Sequence, residues 1–187
     1  MTPARIALVL LAAGRATRFG GGKLAAPLLG KPLARHAADM LLGIGFGAHL
    51  AVISPDTPTL TGYRTVLLDP PGAGQSRSLA LGVAAARDCG AKAIMIALAD
   101  MPLVPLAHIV AMLARFDGDR LASRSHHGVL PPVLFGAQHF DTLCSLQGDR
   151  GAGALLQDAP FLTLAADAAL DIDHTEDLDQ AEQLLKR

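Results

Sequence analysis

A three-layer α/β domain with a mainly parallel sheet is the fold this chain predicts, and three observations carry it. Short apolar, β-rich runs alternate with stretches of helical spacing along the length of the chain. The early runs are almost continuously apolar, as expected of strands whose sheet is covered by helices on both faces. The 187 residues, 51 % of them apolar, suffice for one domain (1–187) with a full core.

Taken in order, the run Ile6–Leu11 (IALVLL) predicts the first strand, and the spacing of Leu33–Gly43 a helix after it. Leu50–Ile53 (LAVI) and Thr65–Leu68 (TVLL) follow as strands, then Ser76–Asp88 as a helix. Ala93–Leu98 (AIMIAL) is a further buried strand, with Leu106–Phe116 as its following helix. Beyond it, Leu121–Ser123, Val133–Phe135 and Phe161–Leu164 are strand candidates, with helical patterns at Ala137–Leu146, Gly151–Leu156 and Glu176–Lys186. The segment Ser123–Pro132, with two histidines and two prolines, is expected to be an irregular excursion or a hairpin. No repeat, linker or low-complexity segment interrupts the pattern.

The composition excludes a disordered chain. The longest apolar stretch, Ile6–Ala13, is eight residues and far short of a membrane span. No signal-peptide pattern precedes it, so a cytoplasmic location is expected. Cys89 and Cys144 stand far apart in helix-like contexts and are expected to be reduced, packed thiols; paired Cys/His spacing for zinc is absent from the sequence. The near-neutral net charge of −1 hides an asymmetry. Residues 1–38 carry Arg5, Arg15, Arg18, Lys23, Lys31 and Arg35 and no carboxylate, whereas 167–182 carry seven acids, among them Asp171 and Asp173, and no Lys or Arg. A basic start and an acidic end suit a site that meets an anion and a cation together. Neither nucleic acid nor membrane is an expected partner.

In open α/β sheets ligands bind beyond the carboxyl ends of the strands. The loop after the first strand, the Ala99-Asp100-Met101-Pro102 turn and the turn before Ser76 all fall there. The opening loop is not a Walker A sequence: counting back from Gly22-Lys23 puts Thr17 where a glycine is required, and Leu24 stands where a hydroxyl must be. Nor is it a dinucleotide fingerprint, since Gly14-Arg15-Ala16 lacks the second glycine and no ribose-binding acid follows, which removes an NAD-dependent oxidoreductase. What remains is a small-residue turn, Leu11-Ala12-Ala13-Gly14, whose backbone N–H groups can approach a ligand, followed by the cations Arg18 and Lys23 at fixed offsets.

That pattern, with Phe19-Gly20 and Pro27-Leu28-Leu29-Gly30-Lys31-Pro32-Leu33, resembles the signature of the MobA/MocA-like nucleotidyltransferases of molybdenum-cofactor maturation. Further matches run in order: Gly74-Gln75-Ser76-Arg77-Ser78-Leu79-Ala80-Leu81-Gly82, the acidic turn at Asp100, Pro132-Val133-Leu134-Phe135, Leu146-Gln147-Gly148-Asp149-Arg150-Gly151-Ala152, and Asp171-Ile172-Asp173 with Glu176-Asp177-Leu178. The resemblance implies the Rossmann-like nucleotide-diphospho-sugar transferase fold. It also implies transfer of a nucleotidyl group from a nucleoside triphosphate to a terminal phosphate, with pyrophosphate released.

The acceptor phosphate is already an anion at neutral pH, so the reaction needs cations and positioning, not a general base. Carried onto this sequence, the resemblance makes Arg18, Lys23 and Asp100 the catalytic set. Leu11, Ala12, Ala13, Gly14, Arg18, Lys23, Asp69, Ser76 and Ser78 become the nucleotide-binding set, with Arg15 a helper and Lys31 either near the acceptor or structural. Asp100, with Asp173, is the expected Mg2+ site, since magnesium takes few carboxylates plus phosphate oxygens. Thr175 is expected to cap the last helix, with Glu176 and Asp177 favouring its start. Ala13 matches the CTP-using Leu-Ala-Ala-Gly form, not the Leu-Ala-Gly-Gly of GTP users, which implies CTP and a molybdopterin-type acceptor, with a molybdenum hydroxylase as possible client. His174-Thr175, Leu130-Pro131 and Gly153 depart from the family pattern, the last two where the acceptor is expected. The alternatives are a GTP-using or sugar-phosphate transferase and a non-catalytic cofactor-binding maturation chaperone. The pair His126-His127 is read as loop or acceptor contact.

Overall fold

A computed structural model describes residues 1–14, 19–70, 73–148 and 151–186. β1 (Ile6–Ala12) is followed by a 3-10 turn at Lys23–Ala25 and a small hairpin, β2 (Pro27–Leu28) with β3 (Lys31–Pro32), which leads into α1 (Leu33–Leu42). β4 (Ala48–Ile53), β5 (Arg64–Leu67), α2 (Gln75–Asp88), β6 (Ala93–Leu98) and α3 (Leu106–Arg115) complete the alternating half. β7 (Arg120–Ser125), β8 (Gly128–Gly136), α4 (Phe140–Ser145), β9 (Phe161–Thr163) and α5 (Thr175–Leu185) follow. Among the described residues, seven strands form one sheet in the order β5-β4-β1-β6-β8-β7-β9. β1 is parallel to β4 and β6, β4 to β5, and β7 to β9, while β8 runs antiparallel to both its neighbours. This is the mainly parallel Rossmann-like α/β sheet that the sequence predicts.

The continuous apolar character of β1 has a direct cause. Ile6, Leu8 and Leu10 pack on one side with α1 and α3 (Ala34, Leu41, Ile109, Met112), while Ala7 and Val9 face α2 and α4 on the other (Leu79, Val83, Phe140, Leu143). Every residue from Ile6 to Leu10 is fully buried, as the period-two alternation of a doubly covered strand requires. α2 comes so close to the sheet that a Cβ on Gly82 would lie 2.3 Å from Val9 Cγ1, so any side chain there must push the valine aside. A third, smaller cluster of Leu28, Leu33, Ile172 and Ala181 packs α5 and the strand-like segment before it onto the β2–β3 hairpin.

The second half departs from expectation in instructive ways. β8 is nine residues and not the expected Val133–Phe135, and with β7 it makes the hairpin alternative for 123–132, turning at His126-His127. Pro131 and Pro132 lack a ladder donor, yet they are accommodated where the β7–β8 register shifts between Leu121 and Ser123. The fully buried Ser123 hydroxyl donates to the Pro132 carbonyl at 2.6 Å, which replaces ladder bonding there. The expected helix Ala137–Leu146 is a 3-10 turn, Ala137–His139, running into the shorter α4, and Gly151–Leu156 is a 3-10 turn at Ala152–Leu156. Thr175 lies inside α5; the start is capped from within, by the Asp177 carboxylate accepting the N–H groups of Asp173 (2.9 Å) and His174 (2.7 Å). Both cysteines are free thiols. No helix among the described residues is long and apolar enough to cross a membrane.

Candidate active site

The carboxyl ends of β1 and β6 lie side by side, with Leu11 paired to Leu98 and the Ala99 N–H donating to the Leu11 carbonyl at 3.0 Å. The chain leaves β1 through Ala13 and Gly14 and leaves β6 through Asp100, so the small-residue turn and the acidic turn face one cavity of about 420 Å³. Gly20, Gly21 and Gly22 all have positive φ (86°, 102° and 62°), a path that favours glycine, and they deliver Lys23 into a one-turn 3-10 helix.

Lys23 is only 7 % exposed. Its Nζ lies 2.8 Å from Asp100 Oδ2 and 3.2 Å from Asp173 Oδ1, joining residues 77 and 150 positions away in sequence. Burial by itself lowers the ammonium pKa, but the Asp100 charge and hydrogen bond, with help from Asp171 and Asp173, outweigh it and hold it above its ordinary value. Lys23 is therefore a cation across the whole neutral range.

The acidic strand-like segment is fixed by its own backbone. The Ile172 N–H donates to the Asp100 carbonyl at 3.1 Å, and the Ile172 side chain is fully buried in the hairpin cluster. With Ile172 turned inward, Asp171 and Asp173 both turn out to line the cavity. Desolvation by the cleft, then the Asp100 charge, push the Asp171 carboxyl up to about 7, although the residue keeps an exposed outer surface. Asp171 was not among the expected site residues. Its signal was the Asp-Ile-Asp alternation itself, in which two acids flanking one buried residue must share a face.

The cavity also takes in Leu11, Ala13, Gly14, Ser78, Gln75 and Leu98. Ala12 is buried behind the turn, its carbonyl accepting from the Thr57 hydroxyl at 2.6 Å. Ser76 differs from expectation: Gly74 is the residue that precedes α2, and the buried Ser76 hydroxyl donates to the Gly148 carbonyl at 2.7 Å, tying the helix to a neighbouring loop. Asp69 is exposed and does not line the cavity; its carbonyl accepts from Arg77 Nε at 3.3 Å. Lys31 pairs with Asp39 at 3.0 Å, a structural contact. The His126 and His127 rings meet at the β7–β8 turn, tilted 43° to each other with centroids 3.7 Å apart. Arg15, Arg18, Asp149 and Arg150 lie outside the described residues.

The donor set can be tested against a divalent cation. Among the described residues, no three or more His, Cys, Asp or Glu side chains already converge as a metal cage. Magnesium does not ask for one, since it binds through one or two carboxylates and completes its shell with water and phosphate oxygens. Asp100 and Asp173 already converge on one positive charge, the Lys23 ammonium, so the pair fits the role of such a partial site.

Comparison with known proteins agrees with this architecture. Residues 8–169 match the family model of the MobA-like NTP transferase domain. The chain is 29 % identical to the purine catabolism protein PucB of Bacillus subtilis, over 94 % of this chain and 92 % of that protein. Its fold is similar to that of Rv0371c from Mycobacterium tuberculosis (TM-score 0.80, 24 % identity, 97 % and 98 % of the two chains covered). A nucleotidyl transferase from Methanothermobacter has the same fold (TM-score 0.81, 23 % identity, 97 % and 98 % covered).

Proposed function

This chain belongs to the MobA-like NTP transferase family, a family of nucleotidyltransferases, and on that premise we propose that it moves CMP from CTP onto the terminal phosphate of a molybdopterin-type acceptor. An acceptor phosphate oxygen attacks the α-phosphorus, the bond from that phosphorus to the bridging oxygen breaks, and pyrophosphate leaves with the electron pair. No proton has to be removed from the nucleophile, so the chemistry asks only for alignment and for charge to be met.

The single observation that carries this reading is the buried Lys23 ammonium between Asp100 and Asp173 beside the Ala13-Gly14 turn. Lys23, cationic at all neutral pH values, meets the triphosphate and the charge that develops on the leaving pyrophosphate. Ala13, Gly14 and Ser78 border the same cavity and offer it neutral backbone and hydroxyl donors for the nucleotide. Ala13, which borders the cavity where the GTP-using form has glycine, favours a pyrimidine over a purine. Arg18 stands as the second triphosphate cation on sequence grounds. Asp100 and Asp173 would hold Mg2+, which would compensate the phosphate charge. Asp100 and Asp173 thus orient the polyphosphate, and the apolar flanks Leu11 and Leu98 keep water from competing with the acceptor.

Asp100→Asn tests the reading. Pyrophosphate release is expected to fall at least ~10²-fold, with a cooperative thermal transition kept but its Tm lowered by loss of the Lys23 pair, as for loss of a charge that acts in the transition state. Activity like that of the unaltered protein would remove Asp100 from the mechanism.

A further inference from the structure

At its carboxyl end β1 is tied off differently on its two sides. Toward β6 the ladder closes in the ordinary way: Leu11 pairs with Leu98, and the Ala99 N–H donates to the Leu11 carbonyl at 3.0 Å. Alternation along the strand turns the next carbonyl, that of Ala12, toward β4, where Ala12 pairs with Ile53. The matching donor on that side is the Ser54 N–H, and here a side chain is spliced into the rung. The Ser54 N–H donates to Thr57 Oγ1 at 2.9 Å, and the Thr57 hydroxyl donates in turn to the Ala12 carbonyl at 2.6 Å. With the Thr57 proton committed to Ala12, the Ser54 hydroxyl, 3.1 Å away, is the donor to Thr57 Oγ1. Two donors thus feed one short hydrogen bond and strengthen it. Thr57 lies 45 positions from Ala12, in the turn after β4, and is not among the described residues that line the cavity.

We infer that Thr57 is a positioning residue for the nucleotide: by holding the Ala12 carbonyl on the β4 side, it aims the Ala13 N–H at the phosphates. This rests on the reading in which the Ala13-Gly14 turn takes the triphosphate. The Ala12 carbonyl and the Ala13 N–H belong to one trans peptide, so they point in opposite directions across the strand. A carbonyl pinned toward β4 leaves the N–H directed toward β6, beyond the last paired residues Leu11 and Leu98. Ala13 borders the cavity there, together with Leu98, Asp100 and Lys23. Past the end of the strand no ladder fixes this peptide plane. Turned over, it would present a carbonyl oxygen to the phosphates and repel what the N–H attracts. From behind the turn, Thr57 does what a ladder rung does inside the sheet.

Thr57→Val keeps the branched shape and removes the donor, whereas Thr57→Ser keeps the donor. Tyr63→Phe is the control. It too deletes a hydroxyl that donates to a backbone carbonyl, that of Ala38 at 2.8 Å, and neither of these residues borders the cavity. CTP binding is read by displacement of a fluorescent nucleotide, and KM and kcat by pyrophosphate release. Thr57→Val is expected to raise the CTP Kd and KM by ~10-fold, as for one lost hydrogen bond to a charged group, and to leave kcat within ~2-fold. Thr57→Ser and Tyr63→Phe are both expected to stay within ~2-fold of the unaltered protein in all three quantities. Unchanged CTP affinity in Thr57→Val overturns the inference, as does failure of Thr57→Ser to restore it. An equal loss in Tyr63→Phe also overturns it, by making the effect one of general stability. The binding comparison stands even where no pyrophosphate is released, an outcome that defeats the transferase reading alone. An unaltered protein that binds no nucleotide defeats the reading of the turn, and the inference with it.

Discussion

Lys23→Met removes the cation from its carboxylate pair while keeping much of the side-chain volume. Lys23 is 7 % exposed and makes two charged hydrogen bonds, at 2.8 and 3.2 Å. Breaking a fully buried pair by deleting one partner costs about 3–5 kcal/mol. Here the two carboxylates are part-hydrated, the Asp100 side chain being 19 % and Asp173 43 % exposed, so about 2 kcal/mol is the reasonable figure. For a domain of this size that corresponds to a fall in Tm of about 4–8 °C. The sign with pH follows from the raised Lys23 pKa: its contribution is complete below the unfolded value and is lost only as pH rises through the higher folded value, so neutral pH reads it in full. Thermal unfolding at pH 7 by circular dichroism measures it, repeated in an Asp100→Asn background, where the same substitution is expected to cost about half as much. A Tm change under 1 °C, or an equal loss in both backgrounds, would refute the pairing. In the enzyme assay the same variant is expected to raise the CTP KM and lower kcat together, because the charge it meets is present before and during transfer.

Gly82→Ala drives a methyl to 2.3 Å from Val9 Cγ1 and 3.3 Å from Val52 Cγ2; overpacking is expected to outweigh the helix-propensity gain of about 1 kcal/mol and lower stability by about 1–2 kcal/mol, read by urea unfolding. For Asp171, a folded pKa raised to about 7 means the native state holds a proton that the unfolded state gives up near pH 4, so stability declines as pH rises between those values and is flat above. Asp171→Asn is therefore expected to stabilise the protein in chelator-treated buffer by about 1 kcal/mol at pH 8, screening by solvent included, and by nothing at pH 3.5; a constant difference across that range would contradict the shift. Ser76→Ala is expected to cost about 1 kcal/mol of stability through the lost bond to Gly148 with the CTP KM unchanged, whereas Ser78→Ala is expected to raise that KM; the reverse assignment would show that the two hydroxyls have been given each other's roles.

How far the sequence could be read depended on what each element answers to. β1, β4 and β6 are buried on both faces, and their apolar runs say so without outside help. β8 hid because its first half contains Pro131 and Pro132, which argue against a strand unless a register shift is available in β7, and nothing local announces that shift. The small-residue turn and the acidic turn were legible as ends of strands. Their meeting with Asp173 across 150 positions was not, because it depends on Ile172 docking its backbone on Asp100 and its side chain under the β2–β3 hairpin. The sequence places Ser76 with the nucleotide for a similar reason: a serine at the start of a predicted helix beside the opening turn is a plausible ligand donor, and only the neighbouring Gly148 loop decides where its hydroxyl goes.

Nucleotidyl transfer at the Lys23–Asp100–Asp173 cluster has a direct assay. Pyrophosphate release measured with each common nucleoside triphosphate, with and without Mg2+ and with and without molybdopterin, tests it most directly. Release with CTP that requires both the metal ion and the acceptor is the expected result. Faster release with GTP would contradict the role given to Ala13, and no release under any combination would contradict the claim itself.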